Sequence, residues 1–350
     1  MSTTPARTYW HLQAQQRQFS LLIEKRALIV NLLLAALLVF CSLASLAFGT
    51  LTIPLSGLMQ TLLGNGSGMH DFVVTELRWP RLLAGGLTGA ALALAGCLMQ
   101  TLARNRLATP GIIGIDNAAT AFAVASVVGT GISIAPPAMA LTGAAIATAL
   151  AFGLSGATGT RGYRFIIAGL AIGAISGAIT QVMLSSVALD DANAAYPWTV
   201  GSLNARTDGS VQALAAGLAL GYPLALALKR ALVTLQLPEP VTISLGIHPG
   251  RVRLAGLVLS ILLTGLAVAV AGPIGLVALL APEMARTLSR PGTVPLTAAA
   301  LTGAILMVIS DLAGRLILAP LEIPVGIVTA LAGSPYLLWI LLRKSSDINQ

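Results

Sequence analysis

Two arginines stand three positions apart in the stretch Arg78-Trp79-Pro80-Arg81, in a chain where only 9% of residues are charged. A guanidinium fork grips a carboxylate through two parallel hydrogen bonds, so a fixed pair of forks suits an acidic surface. A third arginine, Arg315, lies four residues after Asp311, the spacing of an ion pair along one helix. Other chemistry finds little support. The run Gly153-Leu154-Ser155-Gly156 matches an intramembrane serine-protease motif, but a serine nucleophile needs a neighbouring base. The three histidines, His11, His70 and His248, fall in the leader or in loops. No phosphate-binding Gly-x-x-x-x-Gly-Lys-Ser/Thr run occurs, and none of Lys25, Lys229 and Lys344 follows the required glycine. Cys41 and Cys97 sit inside apolar runs and imply neither a disulfide framework nor a metal site.

The elements that carry these residues are set by hydropathy. Of 350 residues 56% are hydrophobic, and apolar runs of membrane-crossing length recur. They place spans at about 27–49, 82–102, 112–134, 137–156, 165–188, 211–231, 254–272, 273–288, 296–318 and 324–342. The eighth is short, because Gly272-Pro273 breaks a long apolar stretch in two, and it need not cross fully. The expected fold is therefore an all-α polytopic membrane protein of about ten transmembrane helices. Residues 1–26 form a cytoplasmic leader, 27–343 a single transmembrane domain and 344–350 a cytoplasmic tail. A polar leader this long, before a span-length apolar run, argues against a cleaved signal peptide.

Charge then orients the chain. With ten spans, sixteen of the twenty Lys and Arg residues fall on the side of the termini. Only Arg78, Arg81, Arg206 and Arg315 fall on the other side. Cytoplasmic loops carry the excess of positive charge, so both termini are expected in the cytoplasm and the arginine pair faces outward. The high pI is thereby explained without nucleic acid, for which no basic–aromatic cluster exists. Outward-facing Arg78 and Arg81 have local alternatives in Asp71 and Glu76, or in lipid phosphates.

Internal similarity is visible. LTGAALALAG (87–96) and LTGLAVAVAG (263–272) agree at seven of ten positions, and LTGAAI (141–146) resembles LTGAIL (301–306). Spans 2 and 7, and 4 and 9, are thus paired in opposite directions, pointing to an inverted repeat of spans 2–5 and 7–10. Gly169, Gly173, Ser176, Thr180 and Gln181 share one face of span 5. Such a stripe either lines a pore or lets another helix approach closely. The acids Asp116, Glu283, Asp311 and Glu322 lie near span ends, where water or an arginine satisfies them, so a deep ion relay is weakly supported.

Five collinear stretches resemble one family, the permease subunits of type II ABC importers for ferric siderophores, haem and cobalamin. They are RWPRLLAGGLTGAALALAGCLMQ (78–100), ARNRLATPGIIGIDNAA (103–119), RFIIAGLAIG (164–173), AGPIGLVALLAPEMAR (271–286) and SDLAGRLILAPLEIPVGIVTALAGSPYLLWILLR (310–343). The resemblance implies a permease dimer, homo- or heteromeric, with a central path. It implies two ATPase subunits that hold ATP and Mg on the cytoplasmic face, and a periplasmic or lipid-anchored binding protein outside. No cofactor is expected on this chain. Arg78, Arg81 and Arg315 match the arginines that meet carboxylates of the binding protein, with Pro80 stiffening the turn between the first two. The loop 232–253 matches the ATPase-coupling segment, with Glu239, Ser244, Leu245 and Gly246 at matching positions and Pro238 and Pro240 intruding. Gly162 and Tyr163 match the cytoplasmic gate, and the span-5 stripe is assigned to the path beside span 10.

This chain departs from the family pattern at Arg106 for a proline, Thr109 for an acid, Ala278 for a glycine and Glu283 for a histidine. Asp116-Asn117 also stand where small residues are common. The expected function is import of an iron chelate, first a ferric siderophore, through an inner-membrane permease without an ATPase site of its own. The alternative is a secondary transporter driven by an ion gradient. It would want a buried acid pair on facing helices, and the sequence offers none that is clear.

Overall fold

The computed structural model describes residues 9–13, 20–66, 68–129, 134–155, 163–204 and 206–346. Among them ten helices of thirteen residues or more follow the apolar runs: α1 (Lys25–Ala47), α2 (Trp79–Ala103), α3 (Ile115–Val127), α4 (Pro136–Ser155), α5 (Tyr163–Ser186), α6 (Asp208–Thr234), α7 (Pro249–Ala271), α8 (Gly275–Leu288), α9 (Leu296–Leu316) and α10 (Val325–Ser346). Seven helical stretches are long and apolar enough to cross a membrane unaided. Part of the leader is not extended coil. Strands β1 (Tyr9–Gln13) and β2 (Ser20–Glu24) pair antiparallel, with Tyr9 opposite Glu24, just before α1.

Helices α2, α7 and α9 form the centre, and they are the most buried of the long apolar helices. Small residues make this possible. A Cβ added to Gly89 would lie 2.2 Å from the Gly303 carbonyl oxygen, and one added to Gly96 would lie 1.8 Å from that of Ala278. Backbones in contact leave no room for a side-chain layer, as expected where dispersion rather than water expulsion holds helices together. Helices α1, α5, α6 and α10 surround this centre and present large apolar side chains outward, among them Phe40, Ile175, Leu220 and Leu331.

The packing follows the repeat. Helix α2 packs on α8 and α9, α7 packs on α3 and α4, and α2 and α7 pack on each other. The matched motifs occupy matching interfaces: Gly89 of α2 meets Gly303 of α9, and Gly265 of α7 lies against Ala144 of α4. The two short helices hold related places as well. Span 3 was expected to fill 112–134, but α3 has thirteen residues. Pro110–Ile113 form a 3-10 turn before it, and the left-handed Gly114 (φ 76°) and Gly129 (φ 71°) bound it. Helix α8 follows Gly272, whose φ of 75° no other residue type adopts readily, and Pro273, which has no N–H.

At 1.5 Å per residue the fourteen residues of α8 span about 21 Å, less than a hydrocarbon core. The segment nevertheless joins the two ends of the bundle. At its start the Ala271 carbonyl accepts from the Ser202 N–H at 2.8 Å, and at its end the Leu288 carbonyl accepts from Arg26 Nε at 3.2 Å. One end of the bundle thus gathers Arg78, Arg81, Arg206 and Arg315. The other gathers Arg26, Arg104, Arg106, Arg253 and Arg286, the division that the charge count anticipated.

Replacing Gly96 by valine forces α2 away from α8 and should cost about 3 kcal/mol or more. Gly86, with nothing within 4 Å of an added Cβ, is the control. In thermal unfolding of the detergent-purified chain, Gly96→Val is expected to lose the folded peak, and Gly86→Ala to match the parent.

Candidate functional site

At the arginine-pair end the guanidiniums are bound within the chain. Residues 73–78 form a π-helical turn that runs directly into α2. Pro80 occupies the first turn of α2, where a missing N–H is harmless. The two arginines are therefore on helix, and the expected stiffened turn between them is absent. Arg78 Nη1 donates to the carbonyls of Leu46 (2.5 Å) and Ala47 (3.0 Å), and Nη2 donates to that of Leu51. Arg315 Nη2 donates to Ser45 Oγ (2.6 Å) and the Ser45 carbonyl (3.2 Å), and its Nη1 to the Phe48 carbonyl (3.4 Å). Both arginines thus cap the C-terminal end of α1. The last carbonyls of a helix lack partners and form the negative end of its dipole.

The third arginine joins the cluster through acids. Arg81 Nε and Nη2 each lie 2.9 Å from Asp311 Oδ1, and Nη1 lies 2.8 Å from Glu322 Oε2. Asp311 Oδ2 lies 3.1 Å from Arg315 Nε, so the i,i+4 pair read from the sequence is present. Asp311 is the buried hub, its side chain 6% exposed, whereas Glu322 is 37% exposed. Among the described residues Asp71 and Glu76 form no ion pair, so the local alternative to Asp311 is not taken. Arg206, the fourth cation here, stacks 4.3 Å from the Trp198 ring centre and donates to the Ser202 carbonyl. Three open guanidiniums were expected. The structure holds Arg78 and Arg315 buried and leaves Arg81 joined to a half-exposed acid.

The opposite end carries a short helix, Glu239–Ser244, inside the loop 232–253. Pro238 is its N-cap and Pro240 sits in its first turn, so the prolines that threatened the segment start it. Gly246, with φ 78°, ends it: its N–H reaches the Ile243 carbonyl, and that of Ile247 reaches the Thr242 carbonyl. Thr242 is fully buried and donates to the Thr234 carbonyl at 3.0 Å, which anchors the helix to α6. Glu239 lies 3.5 Å from Arg253. The side chains of Leu237, Val241, Ile243 and Leu245 are exposed. Arg104, left-handed at the C-cap of α2, donates to the carbonyls of Leu235 and Leu237 and ties the loop to the bundle centre.

Nearby, Glu283 meets Arg106 at 2.8 Å and Arg286 at 3.4 Å, and Gln100 donates to the Leu279 carbonyl. These residues line a polar cavity of about 400 Å³. Of the four acids singled out in sequence, three thus have arginine partners. Asp116 is the exception: its Oδ1 is buried without a hydrogen-bond partner.

The α5 stripe does not sit on one open face. An added Cβ at Gly169 would lie 2.6 Å from Ile113 Cα, and one at Gly173 would lie 3.2 Å from Gly114 Cα. Thr180 is buried and donates to the Ser176 carbonyl at 3.0 Å. These residues seat α5 on the α3 entry turn, where Asn117 Nδ2 also donates to the Gly173 carbonyl. Pore lining by Gly169, Gly173 and Thr180 is therefore corrected to packing within the subunit. Ser176 is half-buried and Gln181 exposed. Gly162 lies outside the described residues, and Tyr163 is the first residue of α5.

Comparison with known proteins places this architecture. The chain matches the FecCD transport family over residues 37–343, nearly the whole helical bundle, and it belongs to that family. It is 33% identical over 324 residues to the ferric enterobactin transport system permease protein FepG of Escherichia coli (strain K12), covering 92% of this chain and 98% of FepG. It is 35% identical over 321 residues to the Fe(3+)-citrate import system permease protein YfmE of Bacillus subtilis (strain 168), covering 91% and 96%. A solved inward-facing structure of a metal-chelate type ABC transporter superposes with a TM-score of 0.78 at 25% identity, covering 91% of this chain and 99% of that one.

Removing the Arg78 guanidinium takes the donor from the buried Leu46 carbonyl, at a cost of about 1–3 kcal/mol. Arg78→Gln should therefore lower the unfolding temperature of the purified chain markedly, whereas Glu76→Gln, an exposed neighbour, should leave it unchanged.

Proposed function

We propose that this chain is the membrane-spanning permease of an ATP-driven importer of iron chelates, with a ferric siderophore as its substrate. The observation that carries the reading is the family match, which covers nearly the whole ten-helix bundle. The iron chelates named for FepG and YfmE support the substrate class. The charge asymmetry orients the chain in the bacterial inner membrane with both termini in the cytoplasm, so the arginine cluster faces outward and the 232–253 loop faces inward.

In this reading a loaded binding protein delivers substrate at the outer end. Arg81 meets its carboxylates, while Arg78 and Arg315 hold the platform formed by the C-terminus of α1. The short helix Glu239–Ser244, with the exposed Leu237, Val241 and Leu245, seats in an ATPase subunit. ATP and Mg²⁺ bind those partners, since the chain lacks a phosphate loop. Glu239, Ser244 and Gly246 fix the helix's start and end. Two permease subunits face each other across a path bordered by the exposed sides of α5 and α10. ATP binds the two states of the assembly with different affinity, and that difference drives alternating access. Tyr163, where α5 begins, stands at the inner mouth next to Gly162.

Uptake of a radiolabelled ferric siderophore by cells should survive collapse of the ion gradient and stop when ATP is depleted. The reverse dependence supports the ion-driven alternative. Arg81→Glu should lower uptake more than tenfold while the ATPase still co-purifies. Leu245→Asp should abolish co-purification of the ATPase, read by gel densitometry.

A further inference from the structure

At the outer end two guanidiniums, those of Arg81 and Arg315, share two carboxylates, and the two acids are not equivalent. Asp311 belongs to α9, is buried, and binds both Arg81 and Arg315. Separating a buried, shared ion from its partners is strongly destabilising. Glu322 belongs to the connection between α9 and α10, is 37% exposed, and touches Arg81 through a single contact, Oε2 to Nη1 at 2.8 Å. Its half-exposed carboxylate is screened by water and is the weaker of the two partners of Arg81.

The segment that carries Glu322 is lightly held. Ile317, Leu318 and Leu321 are exposed, and its backbone is tied to α9 by the Ile323 N–H donating to the Gly314 carbonyl at 3.0 Å. It leads directly into α10, whose buried Val325 and the Gly326 N–H, donating to the Gly201 carbonyl, fix the next turn.

We propose that Glu322 is an internal placeholder for a docking carboxylate. It holds Arg81 while the outer face is empty and is displaced when a partner's Asp or Glu takes over the same guanidinium. This deepens the docking reading above and rests on it. Two consequences follow from the geometry. Docking exchanges one carboxylate for another at Arg81 instead of pairing a free cation, so Glu322 lowers affinity and sets it. Displacement also removes one tie of the 317–323 segment, the Ile317 N–H to the Ala313 carbonyl and the Ile323 N–H to the Gly314 carbonyl remaining, which gives docking a mechanical connection to α10. Asp311 stays in place throughout and keeps the fork oriented.

The test uses the permease–ATPase complex in nanodiscs, with the loaded binding protein recovered with it as the probe. Its dissociation constant is measured at about 0.15 M salt and again at lower salt. Glu322→Gln is expected to tighten docking by about threefold to tenfold. Asp311→Asn is expected to bring no tightening and to lower the unfolding temperature. Amide exchange in residues 317–323 should speed up when the parent complex docks its partner, and should already be fast in Glu322→Gln. If Arg81→Ala abolishes docking while Glu322→Gln leaves affinity and exchange unchanged, the placeholder is refuted and the docking reading stands. If Arg81→Ala docks normally, the docking reading fails, and the placeholder with it.

Discussion

A carboxylate shared by two guanidiniums, Asp311 between Arg81 and Arg315, is the constraint on which the arginine-pair end of this protein depends. It joins the N-terminal part of α2 to the C-terminal part of α9. Arg315 and Arg78 then reach on to the terminal carbonyls of α1. The first helix is otherwise the least buried of the long apolar helices, and this polar clamp adds to the packing of its buried Leu34, Cys41 and Leu46. The same solution appears at the far end, where Arg104 of α2 caps the carbonyls that follow α6. Helix α2 thus anchors a neighbour at each of its ends by a guanidinium.

Between the clamps the bundle is held by close approach. The glycine contacts of α2 with α8 and α9 draw the three backbones together, and the repeat places α7 against α3 and α4. Backbones in contact leave the middle of the bundle few ways to deform. The short helices α3 and α8 belong to this picture, since each is entered through an irregular turn deep in the bundle.

Much of this was legible in the sequence because it rests on properties that a sequence states directly. Hydropathy gave ten spans, and charge gave the sorting of cations between the two ends. Helical spacing gave the Asp311–Arg315 pair. What was not legible involves partners without a side-chain signature. The roles of Arg78, Arg315 and Arg104 depend on backbone carbonyls, which every residue has. The α5 stripe was ambiguous because small polar residues suit a pore and a helix interface equally. The thirteen-residue α3 was misjudged because its apolar run continues through Gly114 and Gly129, where only the backbone turns. Pro238 and Pro240 read as intrusions until their places at the start of a helix were known. The β1–β2 hairpin had no counterpart among the motifs.

The account turns on which face of the membrane the arginine cluster occupies. The measurement is labelling with a membrane-impermeant maleimide, on single cysteines placed in a chain freed of Cys41 and Cys97. Asn65→Cys, exposed near the α1–α2 connection, should react in intact cells, and Pro291→Cys, exposed between α8 and α9, should react only after permeabilisation. Reaction of Pro291→Cys from outside, with Asn65→Cys protected, would contradict the orientation and every role assigned from it.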